Sequence, residues 1–213
     1  MTTRIWLIRH GEPAGVRGRC YGKLDIGLSA AGRAQMEATG RCLQAEHLDA
    51  IYASPRVRTM ESARILASFH ACDCREDAGL CEIDFGDFEG LTYDDIAARY
   101  PVLYRQWMDS PTDVEFPNGE SFAAMRVRVL RAFEAIRRAN EDRTAAIVTH
   151  GGVIRILLAW VLEMPDRNLF RLAQGYAARN LLVWSEDVPV VQIMNAPACG
   201  AGSGLVTRSE GCE

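Results

Sequence analysis

Three short apolar runs, each breaking off into polar residues with reactive side chains, set the frame for this chain. Residues 4–9 read Arg-Ile-Trp-Leu-Ile-Arg, residues 50–53 Ala-Ile-Tyr-Ala and residues 145–149 Ala-Ala-Ile-Val-Thr. Runs this short, with β-branched and aromatic members, predict buried strands rather than helices. Helix signals fill the spaces between them. Ser29 can cap a helix to about Glu46, and a second is predicted over 56–69. Thr92 can cap a third through Arg99, with Pro101 as its stop. In the stretch 120–139, Phe122, Met125, Val129, Phe133 and Ile136 share one stripe, and 153–162 is apolar nearly all round. Two later strands are predicted over 178–184 and 188–194. This alternation predicts an α/β three-layer sandwich, a mostly parallel sheet flanked by helices on both faces, with ligands beyond the carboxyl ends of the strands. Residues 102–118, bearing Pro, Asp and aromatics, predict an irregular, lid-like excursion. One domain is expected over 1–195. Residues 196–213, rich in Gly, Ala and Ser, are expected to form a flexible tail.

Composition narrows the partners. The net charge of −4 argues against generic nucleic-acid binding, which needs a broad basic surface, but leaves room for one positive pocket holding a small anion. The apolar stretch 153–162, interrupted by Arg155, is too short for a membrane-spanning helix of about 20 residues. Seven cysteines, an odd number, and no secretory leader predict a reduced, cytoplasmic protein. His70, Cys72, Asp73 and Cys74 match no common zinc spacing, so no metal and no cofactor are expected. A homodimer is left open.

The strand exits carry the chemistry. The first apolar run leads into Arg9-His10-Gly11-Glu12, the second into Ser54-Pro55-Arg56-Val57-Arg58, and the third into His150-Gly151-Gly152. The fold argument brings His10, Arg58 and His150 to one edge of the sheet, using two of the chain's four histidines. Arginine offers a planar fork of donors that matches phosphate oxygens. Gly151 and Gly152 open a helix whose N–H groups and positive dipole end can face an anion. Neutral imidazole is a competent nucleophile. Together these residues predict a pocket for a phosphate ester.

The chain resembles the histidine phosphatase superfamily, which includes phosphoglycerate mutases. The resemblance rests on Leu7-Ile8-Arg9-His10-Gly11-Glu12, on Ser54, Arg58 and Ser62, on Glu82, Phe85, Gly86, Phe88, Glu89 and Gly90, and on Val148-Thr149-His150-Gly151-Gly152, in the family's order. It implies that His10 accepts the phosphoryl group while Arg9, Arg58 and His150 hold its oxygens. It also implies that Glu82 protonates the leaving oxygen and then activates water. Such an acid must start protonated, and burial beside Phe85 is the expected cause. Where the family often has a polar residue and then Asn after the first motif, this chain has Pro13 and Val16. Arg17 or Arg19 is the expected replacement contact.

The resemblance also bears on the branch. Mutases carry a long insertion with paired arginines between the acid and the second histidine, and no adjacent pair precedes the 120–139 stripe here. That implies a metal-independent phosphatase in which water takes the phosphoryl group. Arg19-Cys20-Tyr21-Gly22, followed by Asp25 and Leu28, resembles the cobalamin-pathway enzymes that dephosphorylate α-ribazole phosphate, which adds Tyr21 and Gly22 to Arg17 and Gly151 as candidate substrate contacts. Tyr93, Tyr100, Tyr104 and Trp107 either stack on a heterocycle or simply pack. A broad phosphatase for small esters, a mutase and a non-catalytic phosphate-binding module are the alternatives.

Overall fold

Burial along β1 (Thr2–Arg9) shows why the first apolar run becomes the centre of the sheet. Side chains of a strand alternate between faces, and here both faces are covered. Ile5 and Leu7 enter one core, whereas Trp6 and Ile8 enter the other. In the computed structural model, which describes residues 2–185 and 188–198, β1 lies between β4 (Thr144–Thr149) and β5 (Arg179–Ser185). With β2 (Ala50–Ala53), β3 (Cys74–Glu76) and β6 (Val188–Ala196), the sheet order is β3-β2-β4-β1-β5-β6. The pairs β3·β2, β2·β4 and β4·β1 are parallel. β5 is antiparallel to both of its neighbours, so it alone runs against the rest.

Helices cover the two faces as expected. Met36 and Leu43 of α1 (Ala30–Leu43), with Met60, Ala63 and Leu66 of α2 (Val57–Ala67), pack with Trp6 and Ile8. Opposite them, α5 (Phe122–Ala139) buries the predicted stripe against α6 (Gly151–Val161), Ile5 and Leu7. The predicted caps form. Ser29 Oγ accepts the Gly32 N–H at 2.9 Å, and Thr92 shares a reciprocal capping box with Asp95 at the start of α3 (Tyr93–Arg99).

The expected lid-like excursion is largely helical instead. Pro101 does stop α3, but it also opens α4 (Pro101–Asp109), since proline suits the first helical position. Trp107 is buried there among Phe85, Phe88, Tyr93 and Phe116, and Tyr100 lies against Phe88, so these aromatics are packing. Cys20, Cys72, Cys74 and Cys81 are free thiols. Most of the stretch expected to be a tail, residues 199–213, lies outside the described residues. Among the described residues no helix is long and apolar enough to cross a membrane.

Parallel register carries the consequence for function. Arg9 stands opposite Thr149, and Ala53 opposite Val148. The residues that follow, His10, Ser54 and His150, therefore leave the sheet at one edge.

Candidate active site

His10 and His150 meet at that edge with their ring centroids 5.3 Å apart. Both are buried. His10 Nδ1 lies 2.7 Å from the Gly11 carbonyl, so Nδ1 carries the proton and Nε2 keeps its lone pair. His150 Nε2 lies 2.9 Å from Ser54 Oγ, while its Nδ1 faces Arg58 Nη2 at 3.3 Å. A guanidinium can only donate, which makes Nδ1 the acceptor and leaves the Nε2 proton for Ser54. Burial, and then the charges of Arg58 and Arg9, hold the His10 imidazole well below its ordinary range. His150 is shifted the same way, by burial first and then by Arg58 and His10. Both rings are neutral near pH 7.

Two buried arginines flank them. Arg9 donates from Nη1 to the Gln174 carbonyl at 2.6 Å and stacks on the Tyr176 ring at 4.1 Å. Arg58 donates to the carbonyls of Leu24 at 2.8 Å and Gly22 at 2.7 Å, which clamps it to the loop around residues 22–24. Its Nε is buried and has no acceptor among the described residues. Burial is also the main force lowering the affinity of this guanidinium for its proton. Behind it, Ser62 Oγ donates to the Arg58 carbonyl at 2.7 Å and accepts the Gly11 N–H at 3.2 Å. Ser62 thus joins α2 to the segment carrying His10.

Glu82 lies against the first turn of α6. Its Oε2 accepts the Gly152 N–H at 3.0 Å and its Oε1 accepts the Ile83 N–H at 3.2 Å. Here the structure corrects one expectation. The Gly152 N–H does not face a ligand, because the Glu82 carboxylate already occupies the positive end of the helix. Phe85 belongs to the neighbouring aromatic cluster. Its ring packs with Trp107 and Phe116, 5.6 and 4.9 Å away between centroids.

The remaining expected contacts divide. Tyr21 is buried beside Arg58, its ring 5.2 Å from the guanidinium carbon. Gly22 contributes through its carbonyl and is glycine because any Cβ there would run into the Ile83 carbonyl. Gly151 packs close to Arg9 and Arg155, where a Cβ would lie 3.4 Å and 3.0 Å from their nitrogens. Arg17 is exposed on its loop and makes no hydrogen bond to the histidine cluster, while Arg19 donates to the Gly90 carbonyl at 2.8 Å. Val16 itself is buried.

Tyr176 and Glu89 are the participants that sequence reasoning passed over as site residues. The Tyr176 ring lies 5.8 Å from that of His10, and its hydroxyl is 2.9 Å from that of Tyr21, so the two tyrosines bridge the site. Glu89 accepts backbone N–H groups from Gly22, Lys23, Leu24 and Phe85, fixing the loop that clamps Arg58. Its place in the third motif was the available signal. Tyr176 sits in no motif and had none. Among the described residues, no group of three or more His, Cys, Asp or Glu side chains converges as a metal ion would need.

Fold and site together define a class: α/β sandwich proteins with a histidine–arginine cluster beyond the carboxyl ends of parallel strands. Residues 5–197 match the model of the histidine phosphatase superfamily (branch 1), and the chain belongs to that family. It is 32% identical over 193 residues to phosphoserine phosphatase 1 of Hydrogenobacter thermophilus, covering 90% of this chain and 92% of that one. A metal-independent phosphoserine phosphatase of Arabidopsis thaliana is 32% identical over 190 residues, 87% of this chain and 75% of that one. Among solved structures, the α-ribazole phosphatase of Shigella flexneri superposes with a TM-score of 0.84 at 26% identity, covering 92% of this chain and 98% of that one.

Proposed function

We propose that the protein hydrolyses small-molecule phosphomonoesters without a metal, through a phosphohistidine at His10. The carrying observation is the neutral, buried His10 with its proton held on Nδ1 by Gly11, set among Arg9, Arg58 and His150. In this reading Nε2 attacks phosphorus and the phosphorus–oxygen bond breaks. The leaving oxygen takes the electron pair and a proton from Glu82. Water then attacks the phosphohistidine, Glu82 takes one of its protons, and the phosphorus–nitrogen bond returns its electron pair to Nε2. The charge spread over the equatorial oxygens meets Arg9 and Arg58, and the buried Nε of Arg58 gains an acceptor. A phosphate oxygen entering between Arg58 and His150 replaces their 3.3 Å contact, the longer of the two that His150 makes.

Two substrate readings follow from the relatives. The Shigella flexneri phosphatase supports α-ribazole 5′-phosphate, and the two phosphoserine phosphatases support an ester of an acidic alcohol. The mechanism is tested by phosphate release from p-nitrophenyl phosphate in EDTA. Wild type is expected to be active, and His10→Ala to lose turnover while phosphate binding weakens only modestly. Near wild-type turnover by His10→Ala, or a requirement for added divalent metal, overturns the reading.

A further inference from the structure

Glu82 has to present its carboxyl group to a leaving oxygen, yet it stands on irregular backbone. Residues 81–85 join the turn Ala78–Leu80 to the turn Gly86–Phe88 and belong to no helix or strand. The sheet does not fix them, and their place depends on ties from neighbouring elements.

Arg128 of α5 supplies the first of these ties. Its Nη1 donates to the Cys81 carbonyl at 2.8 Å and to the Gly79 carbonyl at 3.0 Å. Its Nε and Nη2 donate to the two carboxylate oxygens of Glu120, at 3.0 and 2.7 Å. Glu120 in turn donates its backbone N–H to the Asp84 carbonyl at 2.8 Å. The ion pair thus closes a bracket around the acid. Arg128 holds the residue before Glu82, and Glu120 holds the second residue after it. Thr149 Oγ1 adds a bond to the Leu80 carbonyl at 2.7 Å, which ties the same segment to the residue preceding His150.

Every guanidinium nitrogen of Arg128 is engaged in this bracket. A two-pronged arginine–carboxylate pair fixes direction as well as distance, and side chains only 27% and 20% exposed are partly shielded from water. The carboxyl end of Glu82 is already tied to the Gly152 N–H at 3.0 Å. The bracket supplies the other end, the backbone from which that side chain reaches. A reacting group must be held to within about 0.5 Å, and a misplacement of about 1 Å costs roughly a hundredfold.

We propose that the Arg128–Glu120 pair positions the proton donor: it sets where the Glu82 carboxyl stands relative to the leaving oxygen and acts on the reaction through Glu82. This rests on Glu82 being the donor in the phosphatase reading.

Arg128→Met keeps an unbranched apolar side chain and deletes every donor. Rates are compared on p-nitrophenyl phosphate and on an alkyl ester, O-phosphoserine or glycerol 1-phosphate, whichever wild type hydrolyses faster. The kcat of Arg128→Met should fall about ten- to a hundredfold on the alkyl ester and no more than severalfold on the aryl one. Made in a Glu82→Gln background, the same substitution should lower the alkyl-ester rate by less than about twofold, because the group it positions is gone. Arg128→Lys, which keeps the charge and can reach one carbonyl, should recover part of the alkyl-ester rate. Glu120→Gln, which leaves Arg128 one acceptor, should show the same ester selectivity at smaller amplitude and carries the test if Arg128→Met does not fold. A merely structural role lowers both esters alike and does so in either background, and that result overturns the proposal. If Glu82→Gln itself slows both esters equally, the assignment of Glu82 as donor falls and the proposal with it. Failure of wild type on p-nitrophenyl phosphate brings down the phosphatase reading itself.

Discussion

Replacing Gly152 by alanine probes the role of Glu82 without changing the chemistry of its carboxyl group. A Cβ at 152 would overlap Oε1 of Glu82 and come within 3.1 Å of its Cδ. Carbon–carbon contacts are comfortable at about 3.5–4.0 Å, so the carboxylate must retreat by roughly 1 Å. The obstacle is the far end of a flexible side chain, and the fold can yield there. In energy the change nearly balances. Alanine is favoured over glycine in a helix by about 0.5–1 kcal/mol, and the weakened bond from the Gly152 N–H costs about as much. Denaturant midpoints should therefore place Gly152→Ala within about 1 kcal/mol of wild type. Catalysis should not balance. A misplacement of about 1 Å costs roughly a hundredfold, and a general acid contributes about 10²–10⁴. Initial rates on alkyl phosphates should fall roughly a hundredfold. On p-nitrophenyl phosphate, whose leaving group needs little protonation, they should fall no more than severalfold. Equal losses on both esters, or none on either, would refute the placement of Glu82 as the proton donor.

Acid should loosen the fold through the same histidines that serve the site. Because His10 and His150 are held below the ordinary value of 6.5, the unfolded chain binds more protons than the folded one below that pH. Their contribution is complete above about pH 6.5 and is lost as the pH falls, with a slope of up to ~1.4 kcal/mol per pH unit for each ring. Urea titrations between pH 7.5 and 5.5 should show a shallower slope in His150→Gln, and an unchanged slope would remove the explanation. Tyr176→Phe keeps the stack on Arg9 but deletes the hydroxyl contact to Tyr21 at 2.9 Å. With one hydrogen bond contributing about 0.5–1.5 kcal/mol, kcat/KM should drop by up to about tenfold, while Tyr176→Ala, which also removes the stack, should lose more. Identical kinetics in the two variants would mean that the ring contributes nothing to holding Arg9.

Residues whose role follows from local pattern were legible before any coordinates. The alternation of buried runs and capped helices, the β1 run with its two covered faces, and the α5 stripe all depend on periods of two or 3.6 residues that a sequence displays directly. His10, Arg58 and His150 could be brought together because parallel strands put their carboxyl ends at one edge. Tertiary structure decided what depends on partners distant in the chain. Pro101 looks only like a helix stop until the buried pocket for Trp107 shows what α4 is for. The Gly152 N–H seems open to a ligand until Glu82, 70 residues away in sequence, is found on it. Tyr176 belongs to no motif, yet the fold lays it on Arg9 and joins it to Tyr21 across 155 positions. The neutral state of the two histidines likewise arises from burial and from arginines brought close by the sheet. A chain's own pattern specifies which side chains are available. Their protonation, partners and distances are properties of the packed molecule, since desolvation and Coulomb interaction depend on separation in space and not on order in the chain.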